Sequence, residues 1–137
     1  MSFVLDASMA VSWLFDDERT PATHGVLHQV VAYGAVVPSL WRLEVANVLR
    51  NAVRRQRCDD AYADASLARL ARLPIRCDEE TDRHAWGAIR ALSQAEALTP
   101  YDAAYLELAI RRTLPLASSD GALIAAARRR QVAIVGE

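Results

Sequence analysis

Lysine is absent from this chain of 137 residues, and all sixteen of its basic side chains are arginine. A phosphate-binding loop built on a lysine is therefore excluded, as is Schiff-base chemistry on a lysine amine. Cysteine is scarce too: Cys58 and Cys77 are far apart and belong to no CxxC or HxxxH pattern, which indicates neither a disulfide framework nor a zinc site. His24 and His28 stand four apart and share a helix face, without an acidic partner or third ligand nearby. No apolar run approaches the ~18 residues of a membrane span, and the first residues lack the basic and apolar regions of a signal peptide, so a cytoplasmic protein with no membrane segment is expected. Glycine and proline number five each and form no tract, while 53% of residues are hydrophobic and 24% charged, a balance that favours a folded chain over disorder. The length suits one domain, 1–137, with a core that needs no staple.

Short β-rich runs alternate with longer helical patterns. Phe3-Val4-Leu5, Ala35-Val36-Val37, Pro74-Ile75-Arg76-Cys77, Pro115-Leu116-Ala117 and Val132-Ala133-Ile134-Val135 read as strands, and helices are expected near 9–15, 21–33, 40–57, 60–73, 81–97, 100–113 and 121–130. This alternation implies an α/β fold, a mostly parallel sheet covered by helices on both faces. In the helix from Leu40, the residues Trp41, Val45, Val48, Leu49, Ala52 and Val53 make an apolar stripe, with Arg50, Arg54 and Arg57 away from it.

Open α/β sheets gather their sites beyond the carboxyl ends of the strands, where loops converge and helix N-termini point. Asp6 closes the first strand run, Glu44 lies in the helix after Pro38, Asp102 follows Thr99-Pro100-Tyr101, and Asp120 follows Leu116-Ala117-Ser118-Ser119. Each has a plain local reading. Asp6 and Asp120 are placed to cap the helices that follow, and Asp102 to be the acidic third residue after an N-cap Thr99. Glu44 and Asp102, however, border the apolar faces of their own helices, where an unpaired carboxylate is costly. Several carboxylates buried together repel one another unless a cation offsets them. Mg²⁺ and Mn²⁺ prefer such oxygen donors, and metal-assisted phosphodiester hydrolysis is the chemistry best matched to the set.

Four segments carry a resemblance that runs end to end: Val4-Leu5-Asp6-Ala7-Ser8, the stretch from Pro38 to Leu49 with Glu44, Leu98-Thr99-Pro100-Tyr101-Asp102-Ala103-Ala104-Tyr105, and Leu116-Ala117-Ser118-Ser119-Asp120-Gly121-Ala122-Leu123. In order and spacing they resemble the PIN-domain ribonucleases, specifically the VapC-type toxins of bacterial VapBC toxin-antitoxin pairs. The resemblance implies a five-stranded parallel sheet flanked by helices. It implies Asp6 and Asp102 as principal ligands of Mg²⁺ (or Mn²⁺), Asp120 and Glu44 binding directly or through water, and Glu44 helping to activate the attacking water. Ser8 and Ser118 would orient these carboxylates. Ser118 stands where the family often has threonine, and Gly121 where many relatives carry a larger polar or basic residue. Partners implied are an RNA substrate, a second copy in a homodimer, and a VapB-type antitoxin whose tail crosses a helical groove. Trp13, Leu14 and Phe15, with Val48 and Leu49, are candidates to line that groove or to pack the core; Arg54, Arg55, Arg111 and Arg112 are candidates for phosphate contact.

Other readings stay open at this point. A phosphatase of the haloacid-dehalogenase type needs a second aspartate two positions after Asp6, where Ser8 stands, and a lysine. A receiver domain fails for the same missing lysine. A PIN nuclease of RNA maturation without an antitoxin, and an inactive PIN-like binding module, are the nearer rivals.

Overall fold

The computed structural model describes residues 1–136. Four short parallel strands, β1 (Phe3–Leu5), β2 (Ala35–Val37), β3 (Ile75–Cys77) and β4 (Leu116–Ala117), form one sheet in the order β3-β2-β1-β4. Phe3 faces Ala35 and Val4 faces Val36 on one side of β1; Val4 faces Leu116 and Leu5 faces Ala117 on the other. Every residue of β1, β2 and β4 is buried, which is why these strands read as unbroken apolar runs without alternation. β3 is the partly exposed edge. Because β2 lies on one side of β1 and β4 on the other, the strand order reverses direction between β1 and β4. That is the switch point at which open parallel sheets form a crevice.

The fifth strand expected at 132–135 does not form. Leu116 and Ile134 make a single parallel bridge, with the Leu116 amide donating to Ala133 and the Val135 amide to Leu116, both at 2.9 Å. β4 offers only two residues of edge before the chain turns into Ser118, and Gln131 (φ 60) and Gly136 (φ 92) bend the backbone on either side. There is no length over which a ladder can extend.

The helices are α1 (Ala7–Ser12), α2 (Pro21–Tyr33), α3 (Trp41–Arg54), α4 (Asp60–Ala71), α5 (Thr81–His84), a π-helical turn (Ala85–Ile89), α6 (Arg90–Glu96), α7 (Pro100–Arg112) and α8 (Gly121–Arg129). α1 begins two residues earlier than its periodicity suggests, since the Asp6 carbonyl already accepts from Met9 and Ala10. The continuous helix expected over 81–97 is interrupted by the π turn. Gly34 joins α2 to β2 at φ 75, where a Cβ would stand 3.1 Å from the Pro74 carbonyl oxygen, so the connection admits only glycine comfortably. α7 is the central helix: every residue from Ala103 to Ala109 is buried, and it packs on β1, β4, α6, the π turn and α8. Trp13, Leu14 and Phe15 belong to the same core, with the Trp13 indole N–H donating to the Thr23 carbonyl at 2.8 Å. They pack the interior, and of the groove candidates Val48 alone is exposed.

A second buried carboxylate follows a strand. Asp78, directly after β3, is fully buried and receives Arg111 Nη2 at 2.7 Å on Oδ2, Arg112 Nη2 at 3.0 Å on Oδ1 and the Thr81 hydroxyl at 3.1 Å. Arg111 Nε in turn donates to buried Glu107 at 2.8 Å. Burial alone would raise the Asp78 carboxyl, but the hydrogen bonds from Arg111, Thr81 and Arg112 and the Arg111 charge outweigh it and hold it at about 2. This clamp ties the end of β3 to the last turn of α7, and it engages Arg111 and Arg112, two of the candidate phosphate contacts.

Truncating Arg111 leaves Asp78 and Glu107 buried without their shared cation, so Arg111→Ala should cost about 3 kcal/mol in urea unfolding. With the Asp78 carboxyl held below its ordinary 3.8, the stability it contributes is present above about pH 4 and is lost as pH falls toward 2. The loss should be about 2 kcal/mol in the wild type and much smaller in Asp78→Asn. An unchanged acid profile in that variant would count against the clamp.

Candidate functional site

The crevice between β1 and β4 is lined by the residues that leave those two strands. Asp6 sits at the N-cap position of α1 in extended backbone, yet its side chain makes no cap hydrogen bond. Its Oδ2 instead accepts from Ser8 Oγ and Ser118 Oγ, both at 2.7 Å, one hydroxyl from α1 and one from the end of β4. Ser8 Oγ also accepts the Ser119 amide at 3.1 Å, and Ser118 Oγ the Asp120 amide at 3.0 Å, so the two loops are stitched together through the hydroxyls that hold Asp6. Each serine thus spends its proton on the carboxylate and its lone pairs on the backbone. Ser8 and Ser118 both donate to the same oxygen of Asp6.

Asp120 does cap its helix. Its Oδ1 accepts from the Ala122 and Leu123 amides at 2.9 and 3.4 Å. In α7 the cap is Thr99, whose Oγ1 accepts the Asp102 amide at 3.1 Å, and Asp102 follows in the first turn with its carboxylate half-buried. Glu44, in the first turn of α3, is bridged to α7: the Tyr105 hydroxyl donates to Oε1 at 2.5 Å. Tyr105 is fully buried, and burial, then its hydrogen bond to Glu44 and the Glu44 charge, drive its hydroxyl far above the ordinary tyrosine range, so it stays a donor. Tyr105 is not among the residues that the sequence singles out for the site. The signal was there: a phenol on the buried face of a helix needs a partner, and Asp102 lies three residues before it.

The acids act on one another. Burial raises the Asp6 carboxyl, the serine hydrogen bonds lower it, the Asp120 charge raises it again, and the net direction is upward. Asp102 is raised by burial and then by Asp120 and Asp6; Glu44 is raised by burial, opposed by the Tyr105 hydrogen bond, and raised further by Asp6 and Asp102. Asp6, Glu44, Asp102 and Asp120 therefore share one electrostatic neighbourhood. They do not share a closed coordination sphere: among the described residues no three Asp, Glu, His or Cys side chains converge as a ready metal cage. A hard divalent cation that keeps several of its waters asks for few direct carboxylates, and the donor set is all oxygen, so its chemistry fits such an ion.

A family model described as the PIN domain matches residues 3–129. No curated protein sequence matches the chain. Among solved structures, PAE2754 from Pyrobaculum aerophilum is similar over 98% of this chain and 90% of its own, with a TM-score of 0.70 at 20% identity. VapBC2 from Rickettsia felis, solved bound to a DNA fragment from its promoter, is similar over 98% of this chain and 97% of the other, with a TM-score of 0.65 at 14% identity. At these identities the two structures speak for the fold.

The raised carboxyls make a stability prediction. A carboxyl whose folded value lies above its unfolded one disfavours folding above that value, and the penalty fades as pH falls through it. Asp102→Asn should therefore melt about 3 °C higher than wild type at pH 7 in EDTA, and the gain should shrink toward pH 4. A variant that melts lower at neutral pH would mean that Asp102 is not under repulsion.

Proposed function

This chain belongs to the PIN-domain family, whose members are generally nucleases, and on that premise we propose that it is a Mg²⁺- or Mn²⁺-dependent ribonuclease acting as the VapC-type toxin of a toxin-antitoxin pair. The observation that carries the reading is Asp6: a carboxylate buried at the switch point, oriented by two hydroxyls, in the field of three more acids and paired with no cation among the ion pairs of the described residues. A structural carboxylate in the same kind of position, Asp78, is neutralised by arginine. Asp6 is left for something else to neutralise.

Asp6 and Asp102 would hold the ion, with Asp120, whose Oδ1 is committed to its helix, and Glu44 joining directly or through water. When bound, the ion supplies Lewis-acid polarisation of a phosphoryl oxygen and a more acidic water. Glu44 has Oε1 fixed by Tyr105 and a carboxyl raised above its ordinary range by burial, which suits it to take the proton as water oxygen attacks phosphorus and the ribose oxygen leaves. Ser8 and Ser118 keep Asp6 in place and act only through it.

The partners follow from the same reading. The fold likeness to a chain of the VapBC2 complex supports a VapB-type antitoxin as the inhibitor. Trp86, 93% exposed, is apolar surface of the kind a homodimer covers. Among the described residues no helix is long and apolar enough to cross a membrane. We read 1–137 as one PIN domain.

Purified protein should cut a mixed RNA pool with Mg²⁺ or Mn²⁺ and not in EDTA. Asp6→Asn should lose roughly a hundredfold or more, and Ser118→Ala about tenfold, as expected when a support of a ligand is removed. Mg²⁺ should raise the melting temperature of wild type and do so less for Asp102→Asn. Cutting that persists in Asp6→Asn or in EDTA would overturn the assignment.

A further inference from the structure

At least seven of the sixteen arginines are held in ion pairs. Arg19 pairs with Asp16, Arg57 with Asp17 and Glu18 while lying over the Phe15 ring, Arg83 with Glu80, Arg111 and Arg112 with Asp78, and Arg129 and Arg130 with Glu96. Arg50, Arg54 and Arg55 are exposed and have no side-chain partner among the described residues. All three lie on α3 or its C-cap, and Glu44 is the only acid of that helix.

Helical spacing sorts the outer side of α3 into two adjacent lines. Glu44, Val48, Asn51 and Arg55 follow at i, i+4, i+7 and i+11, and Leu43, Asn47, Arg50 and Arg54 run beside them. The Leu43 line lies away from the buried stripe of Trp41, Val45, Leu49 and Ala52, while the Glu44 line, which starts in the acid cluster, runs along the border of that stripe. From Glu44 to Arg55 the helix rises about 16 Å. Along this length the exposed groups are amides and guanidiniums, apart from Val48. Arg54 and Arg55 also offset the last carbonyls of α3, but Arg50 sits a turn further in, where the helix end asks for no cation.

We propose that this side of α3 is the track for single-stranded RNA on its way to the acid cluster: Arg50, Arg54 and Arg55 hold backbone phosphates, and Asn47 and Asn51 hydrogen-bond to sugar or base. The inference rests on the ribonuclease reading and adds to it the strand's path. Charge decides for RNA. A cluster of four acids repels a polyanion, so attraction must come from unpaired cations near by, and guanidinium groups grip phosphate oxygens in pairs. The exposed Leu43 at the cluster end gives an apolar side chain for a base to rest on.

The test is binding of a short fluorescein-labelled uridine oligonucleotide in EDTA, by anisotropy across a salt series. The triple variant Arg50→Ala/Arg54→Ala/Arg55→Ala is compared with wild type and with Arg72→Ala/Arg76→Ala/Arg90→Ala, which removes three exposed arginines, also without a partner among the described residues, from outside α3. The α3 variant should lose on the order of tenfold in affinity at low salt, and its slope of log K against log salt should flatten by about 2, three phosphate contacts at roughly 0.7 each. The control should keep wild-type affinity and slope. Unchanged binding by the α3 variant, or an equal loss in the control, overturns the track and leaves the arginines as a solvated face. A shift in sedimentation of the α3 variant with RNA affinity intact overturns it in favour of a contact between copies. Mg²⁺-dependent cutting by wild type is recorded alongside: cutting with unchanged α3-variant binding sinks the track alone, whereas wild type that neither cuts nor binds sinks the nuclease reading as well.

Discussion

The carboxylate of Asp6 is the constraint around which the rest of this structure is arranged. It is buried at the end of the central strand, where the chain must turn into α1, and it cannot be dismissed as a cap because it makes no cap hydrogen bond. Holding it there takes a hydroxyl from each side of the switch point. Those same hydroxyls accept the Ser119 and Asp120 amides, so the loop after β4 is built onto the residue after β1. Moving Asp6 would undo the register of both loops and, through Asp120, the start of α8.

Comparison with Asp78 shows what is unusual about this arrangement. Both aspartates follow parallel strands directly and both are buried. Asp78 meets two guanidiniums and is held at about 2, an ordinary outcome for a buried acid in a stable protein. Asp6 meets neutral hydroxyls and further acids and is raised instead. The protein has sixteen arginines and spends none on the Asp6 cluster among the ion pairs described. Repulsion kept at one place and quenched at another, in one fold, is the pattern expected where electrostatic strain serves binding.

Much of this was legible in the sequence because it is local. The runs Phe3-Val4-Leu5 and Ala35-Val36-Val37 are apolar throughout since both faces are covered, and the four acids lie just beyond strand runs or in first turns of helices. The capping alternatives divided for reasons no single sequence displays: Asp120 caps α8, while Asp6 is turned to serines, one of them 112 residues away. The fifth strand failed because pairing depends on the length of its neighbour, and β4 is two residues long. The Asp78 clamp was missed for the same kind of reason. Arg111 and Arg112 look like any surface pair until β3 is brought beside the end of α7, 33 and 34 residues from Asp78.

Tyr105 ties the acids of two helices together. It lies on the helix that carries Asp102 at its exposed end and Arg111 at the other, and it reaches from the core to the Glu44 carboxylate on α3. The rigid middle of α7, buried from Ala103 to Ala109, therefore fixes one acid directly, a second through a hydroxyl, and the clamp through its last turn. A helix so packed cannot shift to relieve repulsion among the acids at its N-terminal end. The repulsion is held in the fold by the apolar burial of that helix and by the clamp, so the stability lost among the acids is made up at the other end of the same helix.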